Sequence, residues 1–366
     1  MRNYYSLFLI ILFSSLKTYG QINKNECSSF DMKWLYNTSI SQVFWKLNSS
    51  KKNKNIERLL SKKDEVKRIN INSSNLKKIP EVLFEFKNLE ELDISNNHFE
   101  NIEKLIDDLS RFKKLKVLNF TFCGLERLPN NIGVLNNVEA ISFRGNKLSD
   151  INNIGFLTNL KYLILRSNEE LKELPPTIKE LKCLEVLNIS DTSITYLRDE
   201  LSECKQLKSI IANASKIKTI TSYIGKLNKL RNLNLAANEI KALPNSIGNL
   251  LSLEDLSLGS NEIEILPSSI SSLRSLDAIG LEYNRFKTFP NQLLELKRLR
   301  LLKIHNNAIP SIPLDVVNIP NLSLLYVDQE IITEENIRLL KSKKEKLDIK
   351  RHDAMRRAPN EPKRKS

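Results

Sequence analysis

Three histidines, four cysteines and nine glycines are the residues of this 366-residue chain best placed to carry chemistry. The histidines, His98, His305 and His352, lie far apart. None belongs to an H-E-x-x-H pattern, which would set two imidazoles on one helix face for a metal. The cysteines, Cys27, Cys123, Cys183 and Cys204, form no C-x-x-C pair and show neither metal-finger spacing nor a dense disulfide framework. The glycines make neither the G-x-G-x-x-G nor the G-x-x-x-x-G-K-[ST] loop that cradles phosphates, and no G-x-S-x-G is present. The expectation is therefore no catalytic residue, no metal site, no cofactor and no enzymatic activity.

What the chain does carry is a repeat. The stretch LRNLNLAANEIKALPNSIGNLLSL, from Leu230 to Leu253, is followed by LEDLSLGSNEIEILPSSISSLRSL. Both follow one template, L-x-x-L-x-L-x-x-N-x-L-x-x-L-P. Its first position falls at Val66, Leu89, Leu115, Val138, Leu160, Leu184, Leu207, Leu230, Leu253, Leu276, Leu299 and Leu322. Most copies are 23 residues apart, and the largest insertion is three residues, in the second repeat. This makes eleven whole repeats and the start of a twelfth.

Each unit has a physical reading. The L-x-L alternation has period two and makes a short strand with one apolar face. One such strand cannot fold alone, but stacked copies bury a continuous core. The ninth position reads Ser74, Asn97, Cys123, Asn146, Asn168, Thr192, Ser215, Asn238, Asn261, Asn284, Asn307 and Glu330. An asparagine amide both donates and accepts, so it can satisfy backbone groups where the chain leaves the strand. Cys123 at this position and Cys204 at a core leucine position read as structural. The proline after the second-half leucine stops the strand, and x-x-I-x-x-L then suits a turn or short helix.

The sequence resembles the leucine-rich repeat family over about 256 of 366 residues. Its LPNNIGVL, LPPTIKEL, LPNSIGNL and LPSSISSL segments are similar to the class shared by Ras-scaffold, plant and bacterial members. The resemblance implies an α/β solenoid: a horseshoe with a concave parallel β-sheet and an irregular or short-helical convex side. It also implies a protein or peptide partner on the concave face. The disulfide caps typical of animal extracellular members are missing.

The chain divides on this reading into a signal peptide (1–20), a helical N-terminal cap (21–65), the solenoid (66–327), a C-terminal helical cap (328–348) and a basic disordered tail (349–366). The first segment, MRNYYSLFLIILFSSLKTYGQ, pairs Arg2 with an apolar run too short to span a bilayer, followed by Thr18 and Gly20 at cleavage-site spacing. No other stretch is apolar enough to be transmembrane, so the expected location is outside the cytoplasm: periplasm, cell surface or secreted. Sequons at Asn119, Asn188 and Asn213 fall on concave strands, where glycans would block the face, and this favours a bacterial source. A cytoplasmic signalling scaffold is the alternative if the first segment is not cleaved.

The formal net charge is +14, and Lys341–Ser366 supplies eleven Lys and Arg against four Asp and Glu. A polyanion binder acting through that tail is a further alternative. Nucleic acid is not expected, because no aromatics interleave with the basic residues. The second, third, fifth, seventh and eighth template positions face outward from the strands. Val117, Phe122, Arg144, Tyr162, Ile164 and Arg166 at such positions form one candidate partner-binding zone, combining aromatic, aliphatic and guanidinium groups. Glu282, Tyr283, His305 and Tyr326 form a second, which begins acidic at Glu254, Asp255 and Asp277 and continues with Arg300 and Lys303, so that opposite charges stand next to aromatics.

Overall fold

The computed structural model describes residues 60–352. The expected signal peptide, all but the last residues of the expected N-terminal cap (with Trp34 and Trp45), and the tail beyond His352 lie outside the described residues.

The period-two leucines produce short strands in every repeat. In chain order they are β1 (Arg68–Asn70), β2 (Glu91–Asp93), β3 (Val117–Asn119), β4 (Ala140–Ser142), β5 (Tyr162–Ile164) and β6 (Val186–Asn188). There follow β7 (Tyr196–Leu197), β8 (Ser209–Ile211), β9 (Thr219–Ile220), β10 (Asn232–Asn234), β11 (Asp255–Ser257) and β12 (Ala278–Gly280). The last are β13 (Leu301–Lys303), β14 (Leu324–Asp328) and β15 (Asp348–His352). Thirteen of them form one parallel sheet in sequence order, and β7 pairs only with β9. The register sets template positions side by side: Leu233 pairs with Ile210 and with Leu256. Each strand thus turns one apolar side chain inward, and the stack buries them as a single leucine-isoleucine core. Phe120 and Phe143 stack within it at 5.4 Å between ring centroids.

The return path is a ladder of 3-10 turns, most of them opening after a proline in extended conformation. Proline fits there because its missing N–H would have no partner in the first turn. The three extra residues of the second repeat convert this turn into α1 (Ile102–Leu109), whose Lys104 amide donates to the Asn101 side chain at 2.8 Å.

The C-terminal end differs from its sequence reading. Residues 328–348 are not simply a helical cap. Strand β14 runs on to Asp328, and a helix, α2 (Glu334–Lys343), stands where earlier repeats have a 3-10 turn. Residues 349–352, read as the start of a disordered tail, belong to β15 and pair with β14. The cause is the open edge of β14, whose N–H and C=O groups β15 satisfies, with Leu347 buried just before it. Glu330 is exposed and does not act as the twelfth asparagine; instead Asp328 accepts from the Asn306 amide at 2.7 Å.

Candidate functional site

The concave face is made rigid by the asparagines beneath it. Asn261 shows the pattern: its side-chain nitrogen donates to the Leu235 and Leu258 carbonyls, both at 2.9 Å, and its oxygen accepts from the Ile240 amide at 3.0 Å. Each asparagine thereby ties one turn to its predecessor. Cys123 substitutes by donating its thiol to the Ile94 carbonyl, and Thr192 by donating to Ile189. Burial pushes the thiols of Cys123 and Cys204 up to about 12, so neither supplies a thiolate nucleophile near neutral pH.

The residue just before the asparagine is left-handed in eleven successive repeats, from Ser73 to Asn306, with φ between 50° and 66°. Small or polar residues tolerate this conformation; bulky ones are strained in it. Phe122 and Tyr283 are the two large aromatic residues held there, and each belongs to one of the two candidate zones.

A row of charges runs along the second template position. Lys67 pairs with Glu90 at 2.9 Å, Lys116 and Lys161 flank Glu139 at 3.4 and 2.8 Å, and Lys208 meets Glu185 at 2.9 Å. Arg231–Glu254 and Arg300–Asp277 continue it at 3.7 and 2.9 Å. Six charged residues of the face stand outside such pairing: among the described residues Asp93, Arg144, Asp255, Glu282, Lys303 and Asp328 make no ion pair within 4.0 Å.

In the first zone the structure brings together Phe122, Arg144 and Arg166, while Tyr162 stands on β5 between Ala140 and Val186 of the adjoining strands. Phe122 is 50% exposed, and its ring lies on Gly145, where an added Cβ would come within 2.1 Å of the ring. The Arg144 guanidinium lies 5.9 Å from that ring, and its Nε is enclosed without a partner. Burial and the nearby Arg166 lower the pKa of Arg144. Arg166 donates to Asp191 at 2.9 Å. Val117 and Ile164 stand apart from these residues: they are 1% and 2% exposed, covered laterally by neighbouring strands, and make the floor rather than the contact surface.

In the second zone Glu282, Tyr283, His305 and Tyr326 do converge, and His352 joins them from β15. His305 is 6% exposed, stacks on His352 at 4.1 Å, and has Tyr283 edge-on at 5.6 Å. Burial first, then His352 and Lys303, push His305 down to about 3, so the ring is neutral. Burial also holds the carboxyls of Asp255 and Glu282 above their usual range. Lys303 sits 5.7 Å from the Tyr326 ring.

The stacked strands and asparagine turns agree with the comparisons with known proteins. The family description "Leucine rich repeat" matches residues 228–286, and a second of that name matches residues 88–112. Among solved structures, an internalin of Listeria monocytogenes superposes over 81% of this chain and 85% of its own, with a TM-score of 0.68 and 19% identity.

The chain is a leucine-rich repeat protein.

This leucine-rich repeat protein shares its fold with others solved as complexes. A plant peptide hormone receptor in complex with RGF2 has a TM-score of 0.59 at 21% identity, covering 78% of this chain and 45% of that one. A TLR13–ssRNA13 complex has a TM-score of 0.65 at 20% identity, covering 81% and 44%. The adenylate cyclase of Schizosaccharomyces pombe is 42% identical over 77 residues, which is 21% of this chain and only 4% of that enzyme. The match therefore spans only a small fraction of that relative's length. Among the described residues, no group of three His, Cys, Asp or Glu is arranged to hold a metal, and no helix is long and apolar enough to cross a membrane.

Sequence reasoning missed the charge row, although its Lys-Glu alternation is legible once the second positions are read in series. It also missed Asp191 and His352, whose roles depend on side-chain direction and on a strand outside the template. The strain at Phe122 gives a direct expectation. Phe122→Asn, which suits a left-handed turn, should raise stability by about 0.5–1 kcal/mol. Urea unfolding checks this, and a loss of stability would mean that the ring's packing on Gly145 outweighs the backbone strain.

Proposed function

We propose that this protein is a non-enzymatic, exported bacterial scaffold that binds a protein or peptide on its concave sheet. The observation that carries the reading is the first zone. There a half-exposed aromatic held in a strained turn stands beside a guanidinium with no ionic partner, on a sheet cross-tied by asparagines. Strain of this kind tends to persist where function needs it. A rigid surface also lowers the ordering cost of binding, and exposed aromatic and arginine side chains are the usual anchors. Export is supported by the apolar first segment with its Thr18–Gly20 cleavage spacing. The burial of Asn119 and Asn188, at 9% and 3% exposure, supports a host that does not glycosylate them.

The test is affinity capture from the source cells with the wild-type chain and with a Phe122→Ser/Arg144→Ser/Tyr162→Ser variant, at low and moderate salt. A protein retained by the first bait and lost by the second at both salts is the expected result. Material held equally by both baits and released by moderate salt would point to a polyanion, RNA included, held by the basic C-terminal residues.

A further inference from the structure

Charge pairing is common on the concave face, and the second zone departs from it with two carboxylates and one lysine, Lys303, outside any ion pair. Asp255 and Glu282 are carboxylates without a cation within 4.0 Å among the described residues. Asp255 keeps only a hydrogen bond with Ser257 at 3.1 Å. The Glu282 carboxyl lies in a slot left by two glycines: a Cβ at Gly259 would sit 2.7 Å from it, and one at Gly280 2.9 Å from its Oε2. That oxygen is enclosed and accepts no hydrogen bond, and Nδ1 of the 94%-covered His305 in the adjacent repeat is likewise unpartnered, its residue being 6% exposed. Buried polar atoms left this way are uncommon and costly.

The chemistry that answers these features is specific. A carboxylate oxygen is an acceptor, and a neutral imidazole has one acceptor nitrogen. The unsatisfied Glu282 oxygen calls for a ligand with N–H donors. Lys303 favours the charged form of both carboxylates but makes no ion pair with either within 4.0 Å, so the two carry an excess of negative charge that a further cation would answer. The aromatic rings around the site, Tyr283 above all because Tyr326 already carries Lys303 at 5.7 Å, favour a flat, weakly hydrated cation over an ammonium ion. A guanidinium meets all three requirements.

We infer that Asp255, Glu282, Tyr283, His305 and Tyr326 form a subsite for an arginine side chain of the partner. This deepens the concave-face reading and rests on it. The incoming guanidinium offsets the electrostatic cost that burial imposes on both carboxylates.

The experiment is a TROSY NMR titration of the full chain with N-acetyl-arginine amide, and with the uncharged isostere N-acetyl-citrulline amide. Saturating shifts at Glu282, Tyr283 and His305 are expected for arginine, with citrulline at least about tenfold weaker, as loss of one charged contact implies. Glu282→Gln should weaken the arginine effect about tenfold while leaving resonances elsewhere in the sheet in place, which shows that the variant is folded. Absence of arginine-specific saturation, or equal binding by the variant, overturns the subsite. Glu282→Gln shifting the resonances of residues 353–366 would put the chain's own basic end there, and overturns a partner's arginine as occupant. The capture experiment uses residues of the other zone, so a subsite can fail here while the scaffold reading stands, or the reverse.

Discussion

Asn261→Ala should lower unfolding free energy by about 3 kcal/mol, the largest loss expected from any single polar substitution on this face. The side chain makes two donations to the Leu235 and Leu258 carbonyls and one acceptance from the Ile240 amide, and the residue is only 7% exposed. Alanine removes all three bonds and leaves the Ile240 N–H in an apolar interior with no substitute. Net contributions of about 1 kcal/mol for each of these three bonds set the size. The protein itself supplies the control. Thr192 occupies this position and donates to the carbonyl three residues back at 2.8 Å. Asn261→Thr should therefore keep the Leu258 contact and cost about half as much. Urea denaturation of both variants checks the ratio. Equal losses would mean that the contact between turns, not the local one, carries the stability.

Gly248→Val should be nearly as severe, at about 3 kcal/mol, and for the opposite reason. Here the damage comes from atoms added. A Cβ on Gly248 would stand 2.3 Å from the Ser269 carbonyl oxygen and 2.7 Å from Ser269 Cβ, in the 3-10 turn of the next repeat. A backbone oxygen cannot swing aside as a long side chain can. The two turns must separate, and the leucines beneath them lose contact. Gly248→Ala meets the same oxygen with a smaller group and should cost about 1–2 kcal/mol. Hydrogen exchange gives the more telling readout: faster exchange confined to residues 245–272 is expected. A solenoid transmits such damage mainly to its immediate neighbours. Uniform loss of protection along the array would contradict this.

Most of the fold was legible because its determinants are periodic. Leucine spacing located all twelve template strands, since each strand's position depends only on its own residues and the next copy. The asparagine position was readable for the same reason in eleven copies, with Cys123 read as a structural residue there, and it failed only at Glu330. What escaped was aperiodic. The strand β15 follows no template leucine; it forms because β14 leaves a polar edge open. Of the candidate contact residues, the sequence put Val117 and Ile164 on the outward side correctly, but it could not tell that lateral neighbours would cover them. Outward position is set by alternation, whereas exposure is set by the bulk of the residues on adjoining strands. The prominence of Phe122 depends in turn on a bare glycine, Gly145, lying 23 residues further along the chain.

The row of paired charges gives the array a parity. From Lys67 to Lys208 the sign changes at every step, so neighbouring units are complementary and alternate ones equivalent. Excising one unit from this stretch would keep every leucine and asparagine in register yet set lysine beside lysine or glutamate beside glutamate. Excising two restores the alternation. A solenoid that grows or shrinks by unequal exchange would on this account change length most readily in pairs of repeats, and its count would carry a memory of that step size.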